Sequence, residues 1–274
     1  MEHLSLVIFT VLAQCAAGLL MVTGVIQLMA GNVLNTGHLR LLNRHYVLAL
    51  GILGVALTAS ITHLGQPFRA MNIIYGLFHS SPLSIEILAI SAFGGALLLF
   101  TGFQIRTTRQ NSISKNLLIL TVLLAVALVQ AIANVYTLPA VSAWDTSLTS
   151  LQFFRSALTI GSSLAALLIA GRHGRFGDLE ALAVKVILSV GSAALLLVAA
   201  IAALFGSYLT GIEIGGTALY VQSGLILLGL MCWIIPTLRS QLTFINAASG
   251  IVLVLVGEVM GRIYFYDLIH SQVL

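Results

Sequence analysis

The sequence alternates long apolar runs with short polar breaks, and it does so eight times. Uncharged stretches run from about Leu4 to Ala30, Tyr46 to Thr62, Ile87 to Gln104, Leu117 to Leu138, Phe154 to Ala170, Ala181 to Gly206, Ala218 to Leu238 and Leu242 to Val259. Most are near or above the ~20 residues a helix needs to cross the hydrocarbon core of a bilayer. In lipid every backbone N–H and C=O must be satisfied internally, so runs of this kind predict helices. With flanking turns added, the expected spans are residues 4–30, 46–64, 84–104, 117–138, 151–171, 181–206, 218–238 and 242–266. The pattern predicts an all-α membrane protein: a bundle of eight transmembrane helices in a single integral membrane domain over residues 1–274.

Between the second and third spans, Ala70, Ile73, Ile74, Leu77 and Phe78 share one helical face while Asn72, Tyr75 and His79 face away. This predicts a short helix lying along the membrane interface. Ser81 followed by Pro82 supplies an N-cap and a first-turn proline for the third span. No repeat relates the first four spans to the last four.

Composition sharpens the class. Apolar residues make up 59% of the chain and charged residues 7%, against roughly a quarter charged in soluble domains. That excludes a water-soluble globule. A net charge of +4, spread thinly, forms no basic patch, and no nucleic-acid partner is expected. Cys15 and Cys232 sit in separate apolar runs and encode neither a disulfide framework nor a metal site. Only Glu2 and His3 separate the first run from the initiating Met. The basic flank of a secretory signal is missing there, so the run reads as a retained span.

Eight crossings place both termini on one side, and the basic residues then sort by side. One set of loops holds nine, Arg40, Arg44, Arg106, Arg109, Lys115, Arg172, Arg175, Lys185 and Arg239; the side with the termini holds three, Arg69, Arg155 and Arg262. The excess marks the first set as cytoplasmic and puts both termini outside. Glu2, Glu86, Asp145, Glu213, Glu258 and Asp267 lie toward the outside, and only Asp178 and Glu180 inside.

Charges inside a span are expensive and face a bundle interior or cavity. Four belong to this group, Glu86, Arg155, Glu258 and Arg262, all in the outer half and cancelling in charge. Glu258 and Arg262 stand one turn apart in the favourable order and read as a structural ion pair. Glu86 falls in the first turn of its span, where the helix dipole stabilises a carboxylate. Arg155 either snorkels to the interface or binds a ligand. His63 ends the second span at the depth where Glu86 begins the third. Read alone it is an interfacial histidine; beside a carboxylate it titrates near neutrality and can accept a proton. A bis-histidine heme needs two depth-matched histidines, and His63 has no such mate. Neither heme nor an iron–sulfur cluster is expected in this protein.

The run His63-Leu64-Gly65-Gln66-Pro67-Phe68-Arg69-Ala70-Met71-Asn72, followed by Ser84-Ile85-Glu86-Ile87, resembles the membrane anchor subunit of anaerobic dimethyl sulfoxide reductase. Phe9 to Cys15, Val135-Tyr136 leading to Trp144 and Phe153-Phe154, and Gly257 to Arg262 with Phe265-Tyr266 agree with it. The resemblance spans nearly the whole sequence. Gln66 stands where the family more usually has a small residue.

The resemblance implies a menaquinol-oxidising anchor in the bacterial cytoplasmic (inner) membrane, with both termini periplasmic. Such an anchor carries no redox centre. It passes electrons to an iron–sulfur subunit and a molybdopterin catalytic subunit in anaerobic respiration, and does not act on the terminal acceptor by itself. By motif, His63 corresponds to the family's quinol-site residue, and Glu86 lies near that site. Quinol oxidation releases two protons and two electrons. A pocket for it needs hydrogen-bond acceptors, apolar or aromatic walls and a proton route to water. Arg69, Tyr75, Tyr136, Trp144 and Arg155 are candidates to line its mouth or dock the partner. A different class, a proton-coupled secondary transporter, would also place Glu and Arg within the membrane. Against it, no midplane proline breaks a span, and the polar residues gather toward one face.

Overall fold

The innermost helix is the first. Helix α1 (Leu4–Ala30) is buried along most of its length. It packs against α2 (Thr36–His63), α5 (Ser112–Tyr136), α6 (Ser147–Ala170), α7 (Asp178–Tyr208) and α9 (Phe244–Ser271). The remaining elements are α3 (Ile73–Phe78), α4 (Pro82–Arg106) and α8 (Glu213–Leu238). This computed structural model describes residues 4–63, 73–107, 110–137, 144–171, 178–208 and 213–271. Among them, eight helices are long and apolar enough to cross a membrane.

Sequence neighbours pair as α1 with α2, α4 with α5, α6 with α7 and α8 with α9. The longer-range packing centres on α6, which touches α1, α5, α7, α8 and α9. Apolar side chains gain little by meeting each other rather than lipid, so helices in a bilayer are held by close backbone approach and polar contacts. The α1–α6 crossing shows the first device. A Cβ on Gly18 would run into the Ala157 carbonyl, and one on Gly161 would run into the backbone of Gly18. The α8–α9 crossing repeats it, a Cβ on Gly250 falling 2.6 Å from the Gly229 carbonyl oxygen.

α1 runs over the expected residues. α2 begins at Thr36, ten residues before the expected start at Tyr46, because Arg40, Asn43 and Arg44 occupy its polar end without interrupting the helix. Asn35 starts it, its side chain accepting from the His38 N–H at 2.9 Å. α3 falls within the expected short helix and packs on α4; Ala70 and Asn72, and the side chains of Ile73, Ile74 and Tyr75, lie outside the described residues.

α3 ends with Ser80 in the left-handed conformation (φ 52°), the Ser81 N–H reaching the Gly76 carbonyl at 2.9 Å. α8 ends the same way with Ser240 (φ 55°), a backbone-satisfying close more often built on glycine. Ser81 caps α4 with Pro82 at its first turn, as expected. Its backbone carbonyl accepts from Ile85 at 3.1 Å, while its side chain makes no capping bond among the described residues. Pro236 lies in the last turn of α8, away from the midplane.

Candidate functional site

Where α1 begins and α9 finishes, polar and aromatic side chains crowd into the bundle. Deepest is an ion pair between α6 and α9, Arg155 Nη2 to Glu258 Oε2 at 2.9 Å. Ser156 Oγ lies 2.7 Å from the same carboxylate oxygen, and Thr159 Oγ1 donates to the other at 2.8 Å. A carboxylate so supplied with donors is tolerated away from water.

The structure corrects the expected pairing of Glu258 with Arg262. Side chains one turn apart leave a helix side by side, so both enter the bundle and each meets what the neighbouring helices present. Glu258 meets Arg155 of α6. Arg262 donates to Gln14 Oε1 of α1 at 3.0 Å and to Ser156 Oγ at 3.3 Å. Its guanidinium lies 3.8 Å from the ring centre of Phe153, a cation–π contact. The two α9 charges are linked through the Ser156 hydroxyl. Arg155 does not snorkel; it points inward and is 3% exposed.

Nearer the two termini stands an aromatic cluster. Tyr136 meets Trp144, Phe153, Phe265 and Tyr266 at ring-centre distances of 5.8, 5.5, 5.6 and 5.3 Å. Trp144 stacks on Phe265 at 5.1 Å and donates its indole N–H to the Phe265 carbonyl at 2.9 Å. The Tyr266 hydroxyl lies 3.0 Å from that of Tyr136 and 3.3 Å from Thr10 Oγ1. Both tyrosines are within electrostatic reach of Arg262 and of Glu86.

Glu86 is 6% exposed, and its Oε1 has no hydrogen-bond partner among the described residues. It stands in the second turn of α4 rather than the first, so the helix dipole does less for it than expected. His63 is the last residue of α2, which packs on α4. The side chains of His63 and Tyr75, and all of Arg69, lie outside the described residues.

Of the residues singled out from sequence, the structure therefore gathers Tyr136, Trp144, Arg155, Glu258, Arg262 and Glu86 at one end. Thr10, Gln14, Ser156, Thr159 and Tyr266 join them without having been assigned a role. Thr10 and Gln14 stand one turn apart in the first span, as Thr23 and Gln27 do nearer its other end, so the spacing of polar residues marks both places. Among the described residues, no group of three or more His, Cys, Asp or Glu comes together as a metal site.

Eight membrane-crossing helices around a polar and aromatic cluster at one end define a polytopic membrane protein whose distinctive chemistry is gathered there. The family model for the DMSO reductase anchor subunit (DmsC) matches residues 1–268. The protein belongs to that family. It is 29% identical over 269 residues to the YnfH subunit of anaerobic dimethyl sulfoxide reductase from Escherichia coli (strain K12), the match covering 96% of this sequence and 93% of the relative. To the C subunit of anaerobic dimethyl sulfoxide reductase from the same organism it is 27% identical over 279 residues, with the same coverage of each. The corresponding C subunit from Haemophilus influenzae is 31% identical over 175 residues, 64% of this sequence and 61% of the relative. No solved structure matches the protein.

Proposed function

We propose that this protein oxidises menaquinol at the end of the bundle that carries the termini. It passes the electrons to an iron–sulfur subunit, which feeds a molybdopterin catalytic subunit. It anchors both to the cytoplasmic (inner) membrane of a bacterium with its termini in the periplasm, as the distribution of basic residues supports. The observation that carries the reading is the Glu86 carboxyl group. It is buried, has one oxygen without a partner among the described residues, and stands within electrostatic reach of the Tyr136–Tyr266 pair. A carboxylate so placed suits a ligand that arrives with a hydroxyl to donate.

Oxidation of the quinol yields two electrons and two protons. His63 accepts one proton, and Glu86 orients it or carries that proton toward the periplasmic face; the second proton passes to water at the same face. Tyr136 and Trp144 form an aromatic wall. Arg69 and Tyr75 belong to the connection at the mouth, where the electron-accepting partner docks. Arg155, engaged by Glu258, holds α6 against α9 behind the site.

The test separates quinol chemistry from assembly. His63→Ala is expected to leave the complex assembled and active with an artificial soluble donor, while menaquinol-driven turnover falls at least ~10-fold. Glu86→Gln gives a related, smaller loss. Unchanged menaquinol-driven turnover and inhibitor binding in the His63 variant would move the site elsewhere.

A further inference from the structure

The opposite end of the bundle, where the basic loops lie, holds a second buried polar cluster. Gln27 of α1, Asn43 and Tyr46 of α2, Thr101 and Gln104 of α4 and Ser114 of α5 are each 9% exposed or less. Tyr46 donates to Gln27 Oε1 at 2.8 Å, Asn43 Nδ2 donates to the Gln104 backbone carbonyl at 3.4 Å, and Ser114 Oγ donates to Gln104 Oε1. These bonds leave much of the set unused. Gln27 Nε2, Gln104 Nε2, Asn43 Oδ1 and Thr101 Oγ1 have no partner among the described residues.

Buried polar groups without partners are rare and costly, and four in one place call for a ligand. Its chemistry follows from the groups. Two are amide donors, one is a carbonyl acceptor and one is a hydroxyl that does either. Asn43 is fixed, because only its amide nitrogen can donate to a backbone carbonyl, and turning either glutamine over alone still leaves a donor beside an acceptor. An anion would ask for donors alone and a cation for acceptors alone. Water, with two donors and two acceptors, suits a mixed set.

A cavity lies at the same end of the bundle. It measures about 250 Å³ and is lined by Leu28, Gln110, Ser112 and Lys115 among others, where ~10–15 Å³ suffices for one water. Its lining includes residues from the end of α1 and the start of α5, the helices that carry Gln27 and Ser114. Gln110 Oε1 is itself buried without a partner among the described residues.

We propose that this cluster is a water-binding site in which ordered water completes the bonds joining α1, α2, α4 and α5. The site is independent of quinol chemistry at the other end. It gives the bundle a hydrated recess in a region that its apolar composition would otherwise keep dry.

Radiolytic labelling tests it, because X-rays generate hydroxyl radicals from bound water and these oxidise the nearest side chains. Tyr46 and Phe100 meet edge to face at 4.9 Å and are fully buried, and Phe93 is equally buried two turns away on α4. In the full-length protein reconstituted in lipid nanodiscs, Tyr46 and Phe100 should be oxidised at least ~5-fold faster than Phe93, bound water being held by the polar groups beside them. Gln104→Leu, and the gentler Thr101→Val, should lower that rate. The proposal is overturned if Tyr46 and Phe100 react no faster than Phe93, or if both variants label as the parent does.

Discussion

Arg155 and Glu258 meet at 2.9 Å across the α6–α9 contact, 3% and 1% exposed, with Arg262 sharing the Ser156 hydroxyl between them. Three charges in so small a volume make the carboxylate the common counter-ion. Glu258→Gln would leave two guanidiniums facing each other, whereas Arg155→Met leaves Glu258 with Arg262 one hydroxyl away. Breaking a buried pair costs about 3–5 kcal/mol. Glu258→Gln is expected at or above that range and Arg155→Met below it, with the double variant recovering part of the loss. Thermal unfolding in mild detergent measures all three; equal loss in the two single variants would contradict the shared-counter-ion arrangement.

The α1–α6 crossing predicts a steric failure. Gly161→Leu forces the helices apart, because its Cβ already has no room against the Gly18 backbone, and overpacking of this kind costs about 1–3 kcal/mol or more. Gly102→Leu on α4, with nothing within 4 Å of its Cβ position, serves as the control. Yield of folded protein after extraction should fall for the first and hold for the second.

Tyr266→Phe removes the hydroxyl that lies between Tyr136 and Thr10. A neutral hydrogen bond contributes about 0.5–1.5 kcal/mol, so menaquinol-driven turnover should fall by roughly 2–10-fold if the pair lines the site. Turnover from a soluble donor should not change. Equal effects on both donors would give the pair a purely structural role.

Orientation is testable by thiol labelling. In a background without Cys15 and Cys232, a cysteine at His270 should react with an impermeant reagent from the periplasmic side. One at Arg106 or Arg239 should react only from the cytoplasmic side. Cytoplasmic labelling at position 270 would invert the arrangement.

The spans were legible because a membrane helix announces itself by length and apolarity alone, and α1 runs over the expected residues. The ends were less so. Arg40, Asn43 and Arg44 read as loop residues, yet a helix continues through charged turns once it leaves the hydrocarbon, and α2 does so. Side-chain partners were the hardest. Spacing told that Glu258 and Arg262 share a face but not which helix covers it, and the arrival of α6 gives Glu258 to Arg155. Nothing in α1 alone shows what Gln14 and Thr10 meet. Their meaning lies in Arg262 and Tyr266, near the opposite terminus.

That last relationship bears on how the molecule is made. Thr10 and Gln14 enter the bilayer with the first helix, while Tyr266 and Arg262 enter with the last. A nascent polypeptide halted before α9 would hold Gln14 without Arg262, whereas the Thr10 hydroxyl already donates to carbonyls of its own helix. Closure of the bundle therefore waits for the end of translation, when the last helix brings Arg262 to Gln14.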